Sequence, residues 1–251
     1  MNSQQSVLAI IPARFASTRF PGKPLVEISG KTMIQRTYEQ VCKVGNWADV
    51  IIATDDERIQ AHVLQFGARV LMTSSQHLTG TDRCAEVLQK CGLTVDYVVN
   101  IQGDEPFIDP KQIQALRSGF DNRPELVTLI KKIADLGTLF NPNNPKVIVD
   151  ANKQAIYFSR QTLPYLRNVP QDQWLSHGVF YKHIGLYAYR ADILPKLSLL
   201  KPSPLELAES LEQLRWIENG YQIQTVETNI ETIGIDTPED LVRIKELGLI
   251  S

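Results

Sequence analysis

Three short apolar runs constrain the fold of this chain more than any other feature; Pro12 ends the first, and polar residues follow the other two at once. The runs occupy residues 7–11, 50–53 and 97–101. Runs that are apolar on both faces indicate strands of a sheet covered on both sides. The segments between them begin like helices, with Thr32, Asp109-Pro110, Ser203-Pro204 and Thr237-Pro238 at the expected N-termini. This alternation predicts an α/β fold with a mostly parallel sheet covered by helices.

The middle of the chain, from about residue 126 to 190, has a different pattern. Strand-like pieces at 127–133, 146–149, 155–158 and 185–189 are separated by turn-rich stretches. We interpret this part as a smaller, partly antiparallel portion of a single domain covering 1–251. No linker sets it apart as a second domain.

Composition excludes several classes of protein. The chain has 26 Lys+Arg against 28 Asp+Glu, a balance that argues against a nucleic-acid-binding surface. Its three cysteines form no CxxC pair, as expected for reduced thiols in the cytoplasm. We find no secretion signal and no apolar run near the ~18 residues of a membrane span, so we expect a cytoplasmic protein without membrane insertion.

The segment after the first apolar run carries Arg14, Arg19 and Lys23, and no acidic residue precedes Glu27. In open α/β sheets, ligands bind beyond the carboxyl ends of the strands. Arginine offers forked donors to phosphate oxygens and lysine a mobile charge, so this loop suits a polyphosphate. The competing interpretation is a solvated basic loop that tethers the first helix.

Acidic residues follow two later strands. Asp104 comes just after the run at 97–101, and Asp236 precedes the last predicted helix. Magnesium binds one or two carboxylates together with phosphate oxygens. If a predicted strand at 231–235 lies beside the strand before Asp104, both acids could hold one Mg²⁺. Read alone, such acids are more often turn or cap residues.

These motifs together resemble the 3-deoxy-manno-octulosonate (KDO) cytidylyltransferases, also called CMP-KDO synthetases. The likeness rests on Arg14-x-x-Ser17-x-Arg19-x-Pro21-Gly22-Lys23-Pro24-Leu25, on 102–106 and on 236–240. It continues through 77–83, 155–160, 183–189 and 202–215, with Thr79 where the family has Ser. The resemblance implies a Rossmann-like nucleotidyltransferase fold whose smaller portion, about 126–190, binds the acceptor and builds a homodimer.

The resemblance also implies an activity: transfer of CMP from CTP to the anomeric hydroxyl of KDO, giving CMP-KDO and pyrophosphate for lipopolysaccharide biosynthesis. Arg14, Arg19 and Lys23 would hold the triphosphate, and Lys23 would stabilise charge on the departing pyrophosphate. Asp104 and Asp236 would bind Mg²⁺, and a second Mg²⁺ could activate the sugar hydroxyl, because no side-chain base is evident. Arg83 and Gln102 are further candidates for contacts with CTP.

The same resemblance places five residues at the acceptor pocket: Arg160, His183, Tyr187, Glu212 and Gln213. Without the family match, His183 and Tyr187 would be packing residues, and Glu212 and Gln213 ordinary helix residues. Two alternatives stay open: a cytidylyltransferase for another acidic sugar, such as sialic acid or 8-amino-KDO, or a non-catalytic CTP-binding regulator. The joint presence of Arg14, Lys23, Asp104 and Asp236 disfavours the regulator.

Overall fold

The computed structural model describes residues 5–16, 20–231, 234–235 and 237–246. The chain forms two compact units. The first comprises Met1–Ile113, Ala191–Ser198 and Glu231–Ser251, and the second comprises Gln114–Arg190 and Leu199–Ile230. Each unit is therefore assembled from segments that are distant in the sequence.

The secondary structure alternates strands and helices over the first third of the chain. The strands are β1 Val7–Ala13, β2 Glu27–Ile28, β3 Lys31–Thr32, β4 Asp49–Thr54, β5 Arg69–Met72, β6 Tyr97–Asn100, β7 Leu126–Lys132, β8 Lys146–Val149, β9 Ala155–Ser159, β10 Tyr181–Arg190 and β11 Ile223–Glu227. The helices are α1 Met33–Cys42, α2 Glu57–Gln65, α3 Gly80–Lys90, α4 Pro110–Ser118, α5 Leu136–Phe140, α6 Trp174–His177, α7 Leu194–Leu197, α8 Pro204–Glu209, α9 Gln213–Glu218 and α10 Pro238–Glu246. Short 3₁₀ turns lie at Lys23–Leu25 and Gln171–Gln173.

The sheet of the first unit is parallel. Strand β1 pairs with both β4 and β6, and β4 pairs with β5. Ala13 lies opposite Thr54, and Ile10 lies opposite Asn100, so these strands end at the same edge. The loops that follow β1, β4 and β6 therefore emerge together. The three strands predicted from the apolar runs, and the parallel sheet itself, are confirmed.

The second unit has a mixed sheet. Strand β7 pairs in parallel with β11 and antiparallel with β10, while β8 pairs antiparallel with β10 and β9. The antiparallel pairs predicted for the middle of the chain are confirmed. Strand β10 is longer than predicted, and its register against β7 shifts between Ile184 and Tyr187. The alternating sequence of β11, with Ile223 and Thr225 buried, was overlooked.

The end of the chain differs from prediction. Of the strand expected at 231–235, residues 231, 234 and 235 lie outside any strand, and 232–233 fall outside the described residues. The Ile235 N–H instead donates a single hydrogen bond of 3.1 Å to the Asp104 carbonyl. This backbone bond joins the segment to the turn after β6 without forming a ladder.

Helix starts follow local capping chemistry. Ser203 and Glu206 form a reciprocal capping box at α8, and Thr79 and Asp82 do the same at α3. At α1 the Thr32 side chain accepts a hydrogen bond from the Gln35 N–H. The Gln35 side chain donates to Glu39, so the reciprocal half of a capping box is not formed there. Among the helices of the described residues, none has the length and apolar character needed to cross a bilayer.

Substitution of Gly103 tests how closely the turn after β6 packs against Pro12. A Cβ at this position would lie 2.6 Å from the Pro12 carbonyl oxygen, so the backbone must shift to admit it. We expect Gly103→Ala to lower the free energy of unfolding by roughly 1–3 kcal/mol, measured by urea denaturation. Gly185→Ala is the matched control, because its Cβ would meet nothing within 4 Å. Equal effects of the two changes would contradict this packing.

Candidate functional site

A cleft opens at the strand edge of the first unit. Five of the side chains expected to contact the nucleotide or its metal line it: Arg14, Lys23, Arg83, Gln102 and Asp104. They come from the loop after β1, from helix α3 and from the turn after β6. The sequence separates these residues by up to 90 positions, and the parallel sheet brings them together. Arg19 and Asp236 lie outside the described residues.

The basic loop after β1 folds back on itself. Gly22 has a φ of 71°, and its N–H donates to the Phe15 carbonyl at 3.0 Å. A Cβ on Gly22 would lie 3.1 Å from the Phe15 ring, and the Arg58 guanidinium carbon lies 3.4 Å from the centroid of that ring. Glycine is required here because the turn is left-handed and closely packed. The turn leaves Arg14 exposed and buries Lys23.

Lys23 links three segments at the base of the cleft. Its Nζ lies 2.6 Å from Asp104 Oδ2 and donates to the Ile235 carbonyl at 2.9 Å. The lysine is only 9% exposed, so its charge needs close partners. The Asp104 side chain is 34% exposed, and its carboxylate remains accessible from the cleft.

The donor set at the cleft fits a magnesium ion that is shared with a nucleotide. Asp104 supplies a hard, partly exposed carboxylate beside cations that suit phosphate. Magnesium usually takes one or two carboxylates and completes its shell with phosphate oxygens and water. Among the described residues, no three acidic, histidine or cysteine side chains group as a metal cage. An ion here would therefore depend on the ligand for part of its coordination.

Arg83 has a structural task in addition to its predicted one. Its guanidinium is buried and donates to Asp55 Oδ2 at 3.0 Å and to the Thr73 hydroxyl. These bonds join helix α3 to the residues that follow β4 and β5. A direct contact between Arg83 and the nucleotide stays a prediction, as does one from Gln102.

The loop before α3 also lines the cleft, and sequence reasoning gave it no role of its own. His77, Leu78, Thr79 and Gly80 face the cavity. His77 Nε2 bonds the Glu86 carboxylate. Burial raises the pKa of Glu86, but hydrogen bonds from Lys90, the Ser74 N–H and His77 lower it to about 2. The family motif at 77–83 was the available signal for this part of the site.

In the second unit, the predicted acceptor residues form an aromatic and polar group. The rings of His183 and Tyr187 lie 5.3 Å apart, and Tyr187 meets the Trp216 ring edge-on at 5.0 Å. Trp216 and Gln213 lie one turn apart on α9, directly after Glu212. Burial, with Tyr189 and Glu212 nearby, raises the pKa of Tyr187 well above its ordinary value, so this side chain is a neutral phenol.

The Arg160 guanidinium donates hydrogen bonds to backbone carbonyls. It donates to the carbonyl oxygens of Glu209 at 2.7 Å, Pro142 at 3.1 Å and Ser210 at 3.3 Å. The buried Lys146 donates to the Arg160 carbonyl at 2.7 Å. Arg160 therefore fixes the turn after α8, a task that the sequence did not indicate. Its contact with a sugar carboxylate stays a prediction.

Known proteins resemble this chain over nearly its full length. The model of the cytidylyltransferase family matches residues 8–245. The chain is 60% identical over 245 residues to a 3-deoxy-manno-octulosonate cytidylyltransferase of Cytophaga hutchinsonii, covering 97% of this chain and 98% of that protein. It is 56% identical over 239 residues to the enzyme of the same name from Parabacteroides distasonis, covering 93% and 94%.

A solved structure shares the fold. CMP:2-keto-3-deoxy-manno-octonic acid synthetase, determined with CTP, is 40% identical and superposes with a TM-score of 0.89, covering 97% of this chain and 98% of the other. The chain therefore belongs to the cytidylyltransferase family. The predicted nucleotidyltransferase fold and the family resemblance are both confirmed.

His183 should make stability sensitive to acid. Its Nε2 bonds the Thr128 hydroxyl at 2.9 Å, and burial lowers its pKa from 6.5 to about 3. Between those pH values the unfolded chain binds the proton and the folded chain does not. The free energy of unfolding therefore falls as the pH drops from 6.5 towards 3, by up to about 1.4 kcal/mol per pH unit.

The check compares the free energy of unfolding at neutral and mildly acidic pH. We expect His183→Gln to lose less stability on acidification than the unaltered chain does. His177→Gln, at an exposed site, should behave like the unaltered chain. If His183→Gln loses as much free energy of unfolding on acidification as the unaltered chain, this histidine is not the group responsible.

Proposed function

We propose that this chain transfers CMP from CTP to the anomeric hydroxyl of KDO and releases pyrophosphate. The observation that carries the proposal is the convergence of Arg14, Lys23, Arg83, Gln102 and Asp104 on one cleft. Near full-length similarity to curated enzymes of this name supports the choice of both substrates.

Catalysis by this cleft is a matter of positioning and charge neutralisation. The sugar hydroxyl attacks the α-phosphorus, a P–O bond forms, and the bond to pyrophosphate breaks in line. Fixed cations accelerate such a transfer because they stabilise charge that grows on the leaving group. Arg14, exposed at the mouth, would bind phosphate oxygens first. Lys23, held at the base, would neutralise the departing pyrophosphate.

Magnesium is part of the proposal. Asp104 would hold the ion together with phosphate oxygens, and Asp236, which lies outside the described residues, would complete the protein ligands. Bound magnesium polarises phosphate oxygens and lowers the pKa of a coordinated hydroxyl. Lys23 Nζ donates to Asp104 Oδ2 at 2.6 Å, so the lysine neutralises the charge of this carboxylate before the ion and the nucleotide bind.

Residues of the second unit would recognise the sugar. A polyhydroxylated acid needs a cation for its carboxylate and hydrogen-bonding groups for its hydroxyls. Arg160 would serve the carboxylate, and His183, Tyr187, Glu212 and Gln213 would serve the hydroxyls. The low pKa of His183 caused by burial makes it a neutral hydrogen-bonding group near pH 7. It would therefore orient the sugar as a neutral imidazole, without a positive charge.

We extend the proposal to the setting of the enzyme: a cytoplasmic homodimer that supplies lipopolysaccharide assembly. Exposed aromatic residues in the second unit support a contact between subunits. Phe140 is 39% exposed and Tyr165 is 73% exposed, and both pack against the buried Trp174. Apolar groups of this kind commonly mark protein interfaces.

Substrate choice gives the direct test of the proposed reaction. We expect pyrophosphate release with CTP and KDO in the presence of Mg²⁺, and far slower release with ATP, GTP or UTP. Sialic acid and 8-amino-KDO serve as competing acceptors. A higher kcat/KM for either would reassign the sugar. Binding of CTP without pyrophosphate release for any sugar would favour a regulator.

Asp104→Asn tests the metal assignment. The change keeps the shape of the side chain but removes the charge that binds Mg²⁺ and Lys23. We expect kcat to fall at least about a hundredfold, in the range typical of lost transition-state stabilisation, with the circular-dichroism spectrum unchanged. Asp172→Asn, at an exposed site, is the control and should keep full activity. Near-normal turnover by Asp104→Asn would refute the assignment.

A further inference from the structure

The three tryptophans of this chain differ in how their indole N–H groups are used. Trp47 Nε1 donates to the Val41 carbonyl at 2.9 Å, and Trp174 Nε1 donates to the Val169 carbonyl at 2.9 Å. Trp216 is 1% exposed, yet no described residue accepts a hydrogen bond from its Nε1. Leaving a buried donor unpaired costs about 1–3 kcal/mol, so this exception calls for a physical reason.

A neighbouring polar group shares this condition. Gln213, one turn before Trp216 on α9, is 5% exposed, and its Nε2 has no acceptor among the described residues. The Tyr187 hydroxyl is buried beside Thr128, with which it forms a hydrogen bond, and the Tyr187 ring lies 5.0 Å from that of Trp216. Two buried donors without an acceptor, and a third buried hydroxyl, thus lie beside one turn of α9. Such a concentration is typical of a site completed by a ligand.

We propose that Trp216 is a specificity-determining residue of the acceptor site. Its indole N–H, with the Gln213 amide and the Tyr187 hydroxyl, donates hydrogen bonds to oxygens of the acid sugar. The inference rests on the proposed function, because it assigns one more residue to the same acceptor. Sequence patterns do not reveal it, since a tryptophan on a short amphipathic helix is indistinguishable from a core residue.

The chemistry of the group selects the kind of ligand. An indole only donates, and an amide nitrogen does likewise, so the ligand must present several acceptor oxygens. A polyhydroxylated acid does so, and the adjacent Glu212 can accept from one of its hydroxyls. The three groups are buried in this structure, so the sugar would reach them only after a neighbouring side chain moves.

Unpaired donors also let the site discriminate between the sugar and its analogues. A site built around a hydroxyl rejects analogues that lack it, because the buried donors then stay unpaired. The sugar that reaches all three donors recovers the free energy lost by covering them. We therefore expect this group to act on the affinity for the sugar, with little effect on the nucleotide.

The test is Trp216→Phe, assayed by pyrophosphate release with CTP and KDO. Phenylalanine keeps an aromatic ring against Tyr187, removes the N–H and, because it is smaller than indole, leaves a small cavity. We expect the KM for the sugar to rise about tenfold, equivalent to about 1.4 kcal/mol, and the KM for CTP to change less than twofold. The urea midpoint of the free chain should fall less than that of Trp174→Phe, because both changes leave a similar cavity but only Trp174→Phe also breaks a hydrogen bond.

Trp174→Phe is the matched control. Its N–H is already bonded to Val169, so this change should lower the urea midpoint and leave the KM for the sugar unaltered. Gln213→Met provides a second variant that removes a donor at nearly constant length, and it should also raise the KM for the sugar. Should Trp216→Phe fail to fold, nitrogen-15 NMR of the indole N–H groups in the unaltered chain decides the question: adding KDO should shift the Trp216 signal and leave the Trp47 signal unchanged.

The outcomes separate the two proposals. An active unaltered chain with an unchanged sugar KM in Trp216→Phe, or a fall in its midpoint matching that of Trp174→Phe, overturns the inference and leaves the function standing. Without a folded Trp216→Phe, a Trp216 indole signal that KDO does not shift has the same meaning. An unaltered chain that releases no pyrophosphate with CTP and KDO overturns the proposed function and this inference together.

Discussion

The ion pair between Lys23 and Asp104 is the interaction on which the cleft of the first unit depends. It joins the basic loop after β1 to the turn after β6 across 2.6 Å, and the bond from Lys23 to the Ile235 carbonyl adds the segment before α10. A nearly buried ammonium cannot be left unpaired without a large free-energy penalty. The pair therefore fixes the positions of three segments and holds both charges beside the cleft before a ligand arrives.

Much of the fold follows from the sequence because local and global signals agree. The apolar runs in β1, β4 and β6 can be buried only in a covered parallel sheet, and such a sheet must carry its following loops to one edge. The basic loop and Asp104 therefore meet. Strand β11 has a weak sequence signal, because its two buried residues are Ile223 and Thr225 and only the first is apolar. The register shift in β10 has no sequence signature.

The site is less predictable where one side chain has two tasks. Composition and spacing predict Arg14 and Lys23 as phosphate ligands, but they do not show that Arg83 is held by Asp55 or that Arg160 donates to three carbonyls. These bonds depend on backbone atoms brought close by tertiary structure. The unpaired N–H of Trp216 is still harder to foresee, because it is defined by the absence of an acceptor among the described residues.

The fate of one oxygen atom tests the central claim most directly. KDO whose anomeric hydroxyl is equilibrated with oxygen-18 water is incubated with CTP, Mg²⁺ and the chain, and the products are followed by phosphorus NMR. Attack on the α-phosphorus predicts one heavy oxygen bonded to the phosphorus of CMP-KDO and none in pyrophosphate. Label in pyrophosphate, or in free CMP without a sugar ester, would contradict the account.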